Sequence, residues 1–215
     1  MGPGMIRVVI ADDHPMMREG LKYMLGRTED LEIVGEAGDG LEVISAVRAL
    51  DFHVLVLDLN MPGRHGIELI GQIVLEAPKL SILVWSGLDE RQYALRAMQA
   101  GARGYVNKEY ETGQLLEAIR RVASGQRWID SKVAELMAQA WLSPRSNLPH
   151  TYLSPREYEV FSLLIQGHSV GEIAKSHFLS NKTVSTYKAH ILEKMNVHSV
   201  VELVHYAVAH RILDC

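Results

Sequence analysis

Through the first 123 positions, apolar residues alternate between short continuous runs and stripes at helical spacing. Ile6 to Ala11, Leu31 to Ala37, Val54 to Leu57, Ser81 to Trp85 and Gly104 to Asn107 read as strands. The third run, Val-Leu-Val-Leu, is apolar at four consecutive positions. That is the signature of a strand buried on both faces of a parallel sheet. Helical spacing follows each run. It is carried by Met17, Leu21, Met24 and Leu25; by Leu41, Ile44, Val47 and Leu50; by Ile67, Ile70, Ile73 and Val74; and by Leu115, Leu116, Ile119 and Val122. A further helix is expected over about Asp89 to Ala100. Pro15 is placed to open the first helix and Gly101 to stop the fourth. Five strand–helix units in a row predict an α/β fold, a doubly wound five-stranded parallel sheet with right-handed crossovers.

The pattern changes after Ser124. Lys132 to Leu142 has helical composition, and Ser143 to His150, with Pro144 and Pro149, reads as a tether. A linker helix of this kind can dock on either side of it. Beyond Leu153 only helical patterns remain. Ser154 is a candidate N-cap, Pro155 the first helical residue and Glu157 the partner in a capping box. Val160, Leu163 and Leu164 share one face of that helix. Val170, Ile173 and Ala174 mark a short helix, Leu179-Ser180 a turn, Asn181 to Met195 a third helix and Ser199 to about His210 a last one. Two short helices joined by a tight turn suit a helix-turn-helix. The expected organisation is an α/β domain over 5–124, a linker with a helix over 125–150 and a small all-α helix-turn-helix domain over 151–215.

Composition narrows the class. The chain has 215 residues, 47% hydrophobic and 22% charged, as two modest soluble domains would have. No apolar run is long enough to span a bilayer, so no membrane association is expected. The N-terminus lacks the pattern of a signal peptide, and a second Met at position 5 marks the first four residues as a cloning remnant. The single Cys is Cys215, which leaves no internal disulfide and fits a cytoplasmic protein. Net charge is -4. Residues 1–149 carry 16 Lys+Arg against 20 Asp+Glu, whereas residues 150–215 carry 6 of each. The acidic part argues against nucleic-acid binding there; the neutral part leaves it open.

The strand ends carry the chemistry. Asp12 and Asp13 end the first strand, Asp58 the third and Ser86 the fourth, and Lys108 follows the fifth. In a doubly wound sheet these ends converge. Carboxylates with a backbone carbonyl make an oxygen-only site suited to Mg²⁺. A hydroxyl and an ammonium opposite them would hold phosphoryl oxygens, and a carboxylate can accept a phosphoryl group as an acyl phosphate. Singly, these residues are a turn, a cap or a solvated lysine. Together they point to phosphate and metal.

In the third C-terminal helix, about 100° per residue puts Val184, Ile191 and Met195 on the core side. Lys182, Ser185, Thr186, Ala189 and Glu193 fall opposite, forming a small polar face of the kind that enters a major groove. Lys188 lies nearer the core edge, where its stem can snorkel its charge to phosphate. By itself this face also fits an ordinary solvated helix. The final helix has two apolar sides. Val200, Leu203, Val204 and Ala207 should pack inward. Val201, His205, Val208 and Ile212 form a second stripe, with Val201, His205 and Val208 as the expected dimer contact.

Residues 6–123 resemble the receiver domain of two-component response regulators, through Asp12-Asp13-His14-Pro15, Asp58-Leu-Asn-Met-Pro-Gly63, Ser86-Gly87 and Gly104-Tyr-Val-Asn-Lys108. The resemblance implies that Asp58 is the phosphoacceptor. It implies Mg²⁺ on Asp13, Asp58 and the main-chain carbonyl of Asn60, with Asp12 assisting through water. Ser86 and Lys108 would hold the phosphoryl oxygens, and Tyr105 would be an aromatic switch that turns inward when Ser86 moves. Asn107 departs from the pattern, which usually has an apolar residue there. Leu153-Ser-Pro-Arg-Glu-Tyr-Glu-Val160, Glu172-Ile-Ala174 and Lys182-Thr-Val-Ser-Thr-Tyr-Lys188 look like the LuxR-type helix-turn-helix of NarL/FixJ regulators, most similar to the EvgA/BvgA branch. That implies DNA contacts from Lys182, Thr183, Ser185, Thr186, Lys188 and Ala189. Tyr187 stands where many relatives have His, and Ala189 is short for a base-reading residue.

The expected function is a phosphorylation-controlled, DNA-binding transcriptional regulator. It would take phosphate from a sensor histidine kinase, bind promoter DNA as a homodimer, and show no enzymatic activity beyond slow autodephosphorylation. The alternative is an Asp-nucleophile phosphotransferase or phosphatase. Such haloacid-dehalogenase-like enzymes usually need a second acid two residues after the nucleophile, where this chain has Asn60. A quorum-signal receptor would share only the C-terminal domain and would replace the Asp58 constellation with a ligand pocket.

Overall fold

The structure is a computed structural model that describes residues 4–61, 66–88, 90–109, 112–142 and 148–213. Pro62 and Gly63 of the third-strand motif, Asp89 at the expected start of the fourth helix, and residues 143–147 of the expected tether lie outside the described residues. The chain forms two compact units, Met1–Leu142 and Ser143–Cys215.

The first unit alternates β1 (Ile6–Ala11), α1 (Pro15–Leu25), β2 (Leu31–Ala37), α2 (Gly40–Ala49), β3 (Val54–Leu57), α3 (Gly66–Glu76), β4 (Ser81–Ser86), α4 (Glu90–Ala100), β5 (Gly104–Asn107) and α5 (Thr112–Ala123), then adds α6 (Ser131–Leu142). The five strands are parallel in the order β2-β1-β3-β4-β5. The sheet is covered on both faces, which is why β3 is apolar throughout. Leu55 and Leu57 face one core with Val43 of α2, Ile70 and Ile73 of α3 and Ala97 of α4. Val54 and Val56 face the other, with Leu21 and Leu25 of α1 and Ile119 and Val122 of α5. Gly101 closes α4 at φ +114, with its missing Cβ only 2.7 Å from Val74 Cγ2. Only glycine meets both conditions cheaply.

Past α5 the chain stays on this unit. Trp128 pairs with Gly104 of β5 as an isolated parallel bridge, and its N–H donates to the Arg103 carbonyl at 2.9 Å. A Cβ on residue 104 would lie 2.8 Å from the Trp128 Cβ, so glycine permits the approach. The α6 helix then packs on α4, with Val133 buried in the α2–α3–α4 core. The docking partner of the linker helix, left open by the sequence, is therefore the first unit.

The second unit is helical. A 3-10 turn at Pro149–Tyr152 precedes α7 (Pro155–Ile165), α8 (Val170–Ser176), α9 (Asn181–Met195) and α10 (Val200–Ala209). Each helix starts on a serine N-cap. Ser154, Ser169, Ser180 and Ser199 accept from the backbone N–H three residues on, and Ser154–Glu157 and Ser169–Glu172 complete capping boxes. Each cap satisfies orphan amides, at roughly 1 kcal/mol. Asn196 ends α9 in the left-handed conformation. Phe161, Val184, Ile191, Leu203 and Ala207 form the core. One sequence expectation is corrected here. Ile212 does not extend the outer stripe of α10, because the helix stops at Ala209 and Arg211 takes φ +54. The Ile212 N–H returns to the Ala207 carbonyl at 2.8 Å, and its side chain packs on the core.

Candidate functional site

The parallel ladder sets the site. Asp12 N–H donates to the Ala37 carbonyl at 3.0 Å, Asp58 N–H to the Ala11 carbonyl at 2.8 Å and Lys108 N–H to the Ser86 carbonyl at 3.0 Å. Each interaction carries the sheet one residue past a strand end, so the reactive side chains leave a rigid edge. Asp12 and Asp58 are 0% and 3% exposed. The Lys108 ammonium donates to Asp58 Oδ2 at 2.6 Å and to Asp12 Oδ2 at 2.7 Å. Ser86 Oγ donates to Asp58 Oδ1 at 2.8 Å, and the Asn60 N–H reaches the same oxygen at 3.2 Å. Burial lowers the Lys108 pKa, but the two carboxylates outweigh it and hold the ammonium above its ordinary value.

Asp13 sits at the mouth, and its Oδ1 is a buried oxygen with no hydrogen-bond donor among the described residues. His14 Nδ1 lies 2.8 Å from that oxygen without the geometry of a hydrogen bond. Ligand atoms of Asp12, Asp13, His14 and Asp58 all lie within 4.8 Å of one another. The Asp13 oxygen, without a hydrogen-bond donor and beside two buried carboxylates, fits a small divalent cation that prefers oxygen. The structure thus brings all the predicted strand-end residues together.

Tyr105 is fully buried, and its hydroxyl donates to the Leu88 carbonyl at 2.8 Å. Burial first, then the nearby Glu90 charge, pushes its phenol well above the ordinary value. The inward pose that the sequence reading expected as a response is the pose observed, with the Ser86 hydroxyl on Asp58 itself. Asn107 has a local use. Its Oδ1 accepts the Glu109 N–H at 2.9 Å and shapes the turn that carries Lys108.

Three contributors escaped the sequence reading. Arg18 donates to the Asp12 carbonyl at 2.6 Å and to Glu36 Oε2 at 3.2 Å, tying α1 to the ends of β1 and β2. The Trp85 ring lies 5.1 Å from the Lys108 ammonium, within cation–π range. Glu90, at the start of α4, is 1% exposed. The first joins residues six and eighteen positions apart, which no helical spacing announces. The other two are non-local as well.

In the second unit, α9 buries Val184, Ile191 and Met195 and exposes Lys182, Ser185, Thr186 and Ala189; Thr183 and Lys188 are half-buried. The Thr183 hydroxyl is engaged with Ser180 Oγ at 2.8 Å, and Thr186 Oγ1 donates to the Lys182 carbonyl at 3.0 Å. Lys194 turns back to Glu157 Oε2 at 2.6 Å. Burial raises the Glu157 pKa, but Lys194 and the Ser154 N–H outweigh it and hold the carboxyl below its usual range. On α10, Val201 is 64% exposed and Val208 39%, with His205 exposed between them.

Two family models match the chain. The response regulator receiver domain covers residues 8–120, and the bacterial regulatory proteins of the luxR family cover residues 151–207. The chain belongs to the response regulator family. It is similar to the oxygen regulatory protein NreC of Staphylococcus carnosus, 35% identical over 97% of this chain and 100% of that protein. The response regulator GacA of Pseudomonas aeruginosa is also 35% identical, over 98% of this chain and 99% of its own. Among solved structures, Salmonella typhimurium RcsB superposes with a TM-score of 0.71 at 31% identity, covering 96% of this chain and 98% of that one. RcsB of Salmonella enterica serovar Typhimurium bound to promoter rprA with the phosphomimetic BeF3- gives 0.67 at 30% identity, covering 94% and 98%. The regulator is accordingly a phosphorylation-controlled DNA-binding transcription factor. Among its described residues, no helix is long and apolar enough to cross a membrane.

Proposed function

We propose that the regulator accepts a phosphoryl group on Asp58 from a sensor histidine kinase and then binds promoter DNA as a homodimer, working in the cytoplasm. The observation that carries this is the Asp58 carboxylate, almost wholly buried yet held by Lys108 and Ser86 at hydrogen-bond distance. A carboxylate oxygen of Asp58 bonds to phosphorus as the P–N bond of the donor phosphohistidine breaks, and the electron pair returns to the imidazole. Lys108 and Ser86 then hold the phosphoryl oxygens by charge-assisted bonds. Asp13, Asp58 and the Asn60 carbonyl would hold Mg²⁺, with Asp12 bound through water. The ion would supply positive charge to offset the crowded carboxylates and phosphoryl oxygens. Water later hydrolyses the acyl phosphate slowly, the only turnover expected.

In the second unit, Lys182 and Lys188 are assigned to DNA phosphates and Ser185, Thr186 and Ala189 to base edges, with Thr183 closing the helix start. RcsB, the structural relative, has been described as dimers bound to DNA. The exposed Val201, His205 and Val208 support the same assembly for this chain. The test is acetyl phosphate labelling with and without Mg²⁺, followed by peptide mass spectrometry. Label on Asp58 that needs Mg²⁺ and disappears in Asp58→Asn is expected. Normal labelling of Asp58→Asn would overturn the assignment.

A further inference from the structure

We propose that α6 is the output lever of the receiver unit, and that Lys132, by offsetting the buried Glu90 charge, latches it onto α4 while Tyr105 is inward. The inference rests on the Ser86–Tyr105 switch reading and extends it to the next element. Three observations carry it.

The first is a shared core. Tyr105 and Val133 of α6 are both 1% exposed and belong to one cluster, with Leu88, Ile129 and Met137 packed against it. A ring that leaves this cluster removes part of the surface on which α6 rests. The second is a short connection. The Tyr105 hydroxyl holds the Leu88 carbonyl at 2.8 Å, and Glu90 begins α4 two residues later. The third is the charge. The Glu90 side chain is fully buried, and neither carboxylate oxygen has a hydrogen-bond donor among the described residues. The Lys132 ammonium lies 3.4 Å from one of them, at the start of α6. A buried carboxylate without donors disfavours the closed arrangement, and a nearby cation offsets that only in part. Docking of α6 is therefore a balance. Burial of Val133 favours it, burial of Glu90 opposes it, and Lys132 tips it. A balance of this kind is what a rotamer change at Tyr105 can shift.

The lever has a fixed pivot and a connected load. Trp128 is pinned to β5 through Gly104 and the Arg103 carbonyl, three residues before α6 begins. The chain passes from Leu142, the last residue of α6, into the second unit at Ser143.

The experiment uses the full-length protein. Hydrogen–deuterium exchange over residues 131–142 and promoter affinity are measured with and without acetyl phosphate, in wild type, Lys132→Met, Glu90→Gln and the double variant. Lys132→Met strands the Glu90 charge, so exchange in α6 should rise, and the phosphorylation-dependent gain in affinity should fall by roughly tenfold, a typical coupling range. Glu90→Gln removes the opposing charge. It should slow α6 exchange and raise affinity without phosphate, and the double variant should return toward wild type. Unchanged exchange of 131–142 in both single variants overturns the latch, provided exchange in the central strands confirms the fold. The switch reading is judged separately. If wild type takes phosphate on Asp58 but gains no affinity, that reading fails. If wild type gains affinity and the latch variants gain it equally, only the latch fails.

Discussion

Lys108 reaches Asp58 at 2.6 Å and Asp12 at 2.7 Å with one ammonium, so a single cation bridges two buried carboxylates and offsets half of their charge. Lys108→Met should leave those charges facing each other without the ammonium between them. Breaking a buried pair by removing one member costs about 3–5 kcal/mol. Urea unfolding should show a loss of that order, largely offset by excess Mg²⁺. The pair also has a pH signature. The folded Lys108 pKa stands above the ordinary 10.5, so its stabilisation is complete below 10.5 and disappears as pH rises through the raised folded value. Wild type should lose stability in that alkaline window, and Lys108→Met should lack this limb.

The hydroxyls of Ser86 and Tyr105 divide acceptance from response. Ser86→Ala removes the hydroxyl donor to Asp58 Oδ1 but leaves Lys108 and the Asn60 N–H in place, so it should still take phosphate. It should transmit that phosphate poorly to DNA binding. Tyr105→Phe keeps the buried ring and loses the bond to Leu88, worth about 1 kcal/mol or roughly fivefold in the inward population. Phosphate uptake by gel shift and promoter affinity by anisotropy separate the two effects. A Ser86→Ala protein that responds like wild type would remove Ser86 from the route.

The sheet and the strand-end site were legible because they follow local rules. Four apolar positions in β3 can only be buried on both faces, and the ends of parallel strands converge whatever the loops do. The outward face of α9 was legible for the same reason, since one helical period decides it. What was not legible is non-local or terminal. Nothing near Trp128 or Gly104 announces that they pair, and α6 has ordinary helical composition without a docking address. Glu90 reads as a routine acid in a first helical turn; nothing local announces that it is 1% exposed with Lys132 of α6 3.4 Å away. Ile212 was misplaced because its angle was extrapolated along a helix that ends at Ala209.

Two lysines of α9 offer a controlled test of DNA contact. Lys188 is assigned to phosphate, whereas Lys194 is held by Glu157 at 2.6 Å. Losing one phosphate contact should weaken all DNA sequences alike and lower the salt slope by about one unit. Lys188→Ala should show that change in binding isotherms taken across salt. Lys194→Ala should leave the slope intact and instead loosen the join between α9 and the α7 cap. A Lys188→Ala slope equal to wild type would contradict its role.

On α10, Leu203 and Ala207 are buried, while Val201 at 64% and Val208 at 39% stay exposed on another side. With Ile212 folded onto the core, the outer stripe is shorter than the sequence suggested. It is carried by Val201, His205 and Val208, one helical turn apart. Three side chains make a small contact, well below the area of a stable dimer, so pairing should be weak in solution and promoted on DNA. A two-fold pairing of α10 would set two copies of α9 about one DNA turn apart, as palindromic half-sites require. Val201→Glu with Val208→Glu changes only exposed positions, so each change should alter stability by no more than about 0.5 kcal/mol. Like charges facing each other across the two-fold axis should abolish paired-site binding while sparing single half-sites. Circular dichroism checks the fold and footprinting checks the pairing. Native dichroism with cooperative protection of both half-sites would show that the dimer forms through another surface.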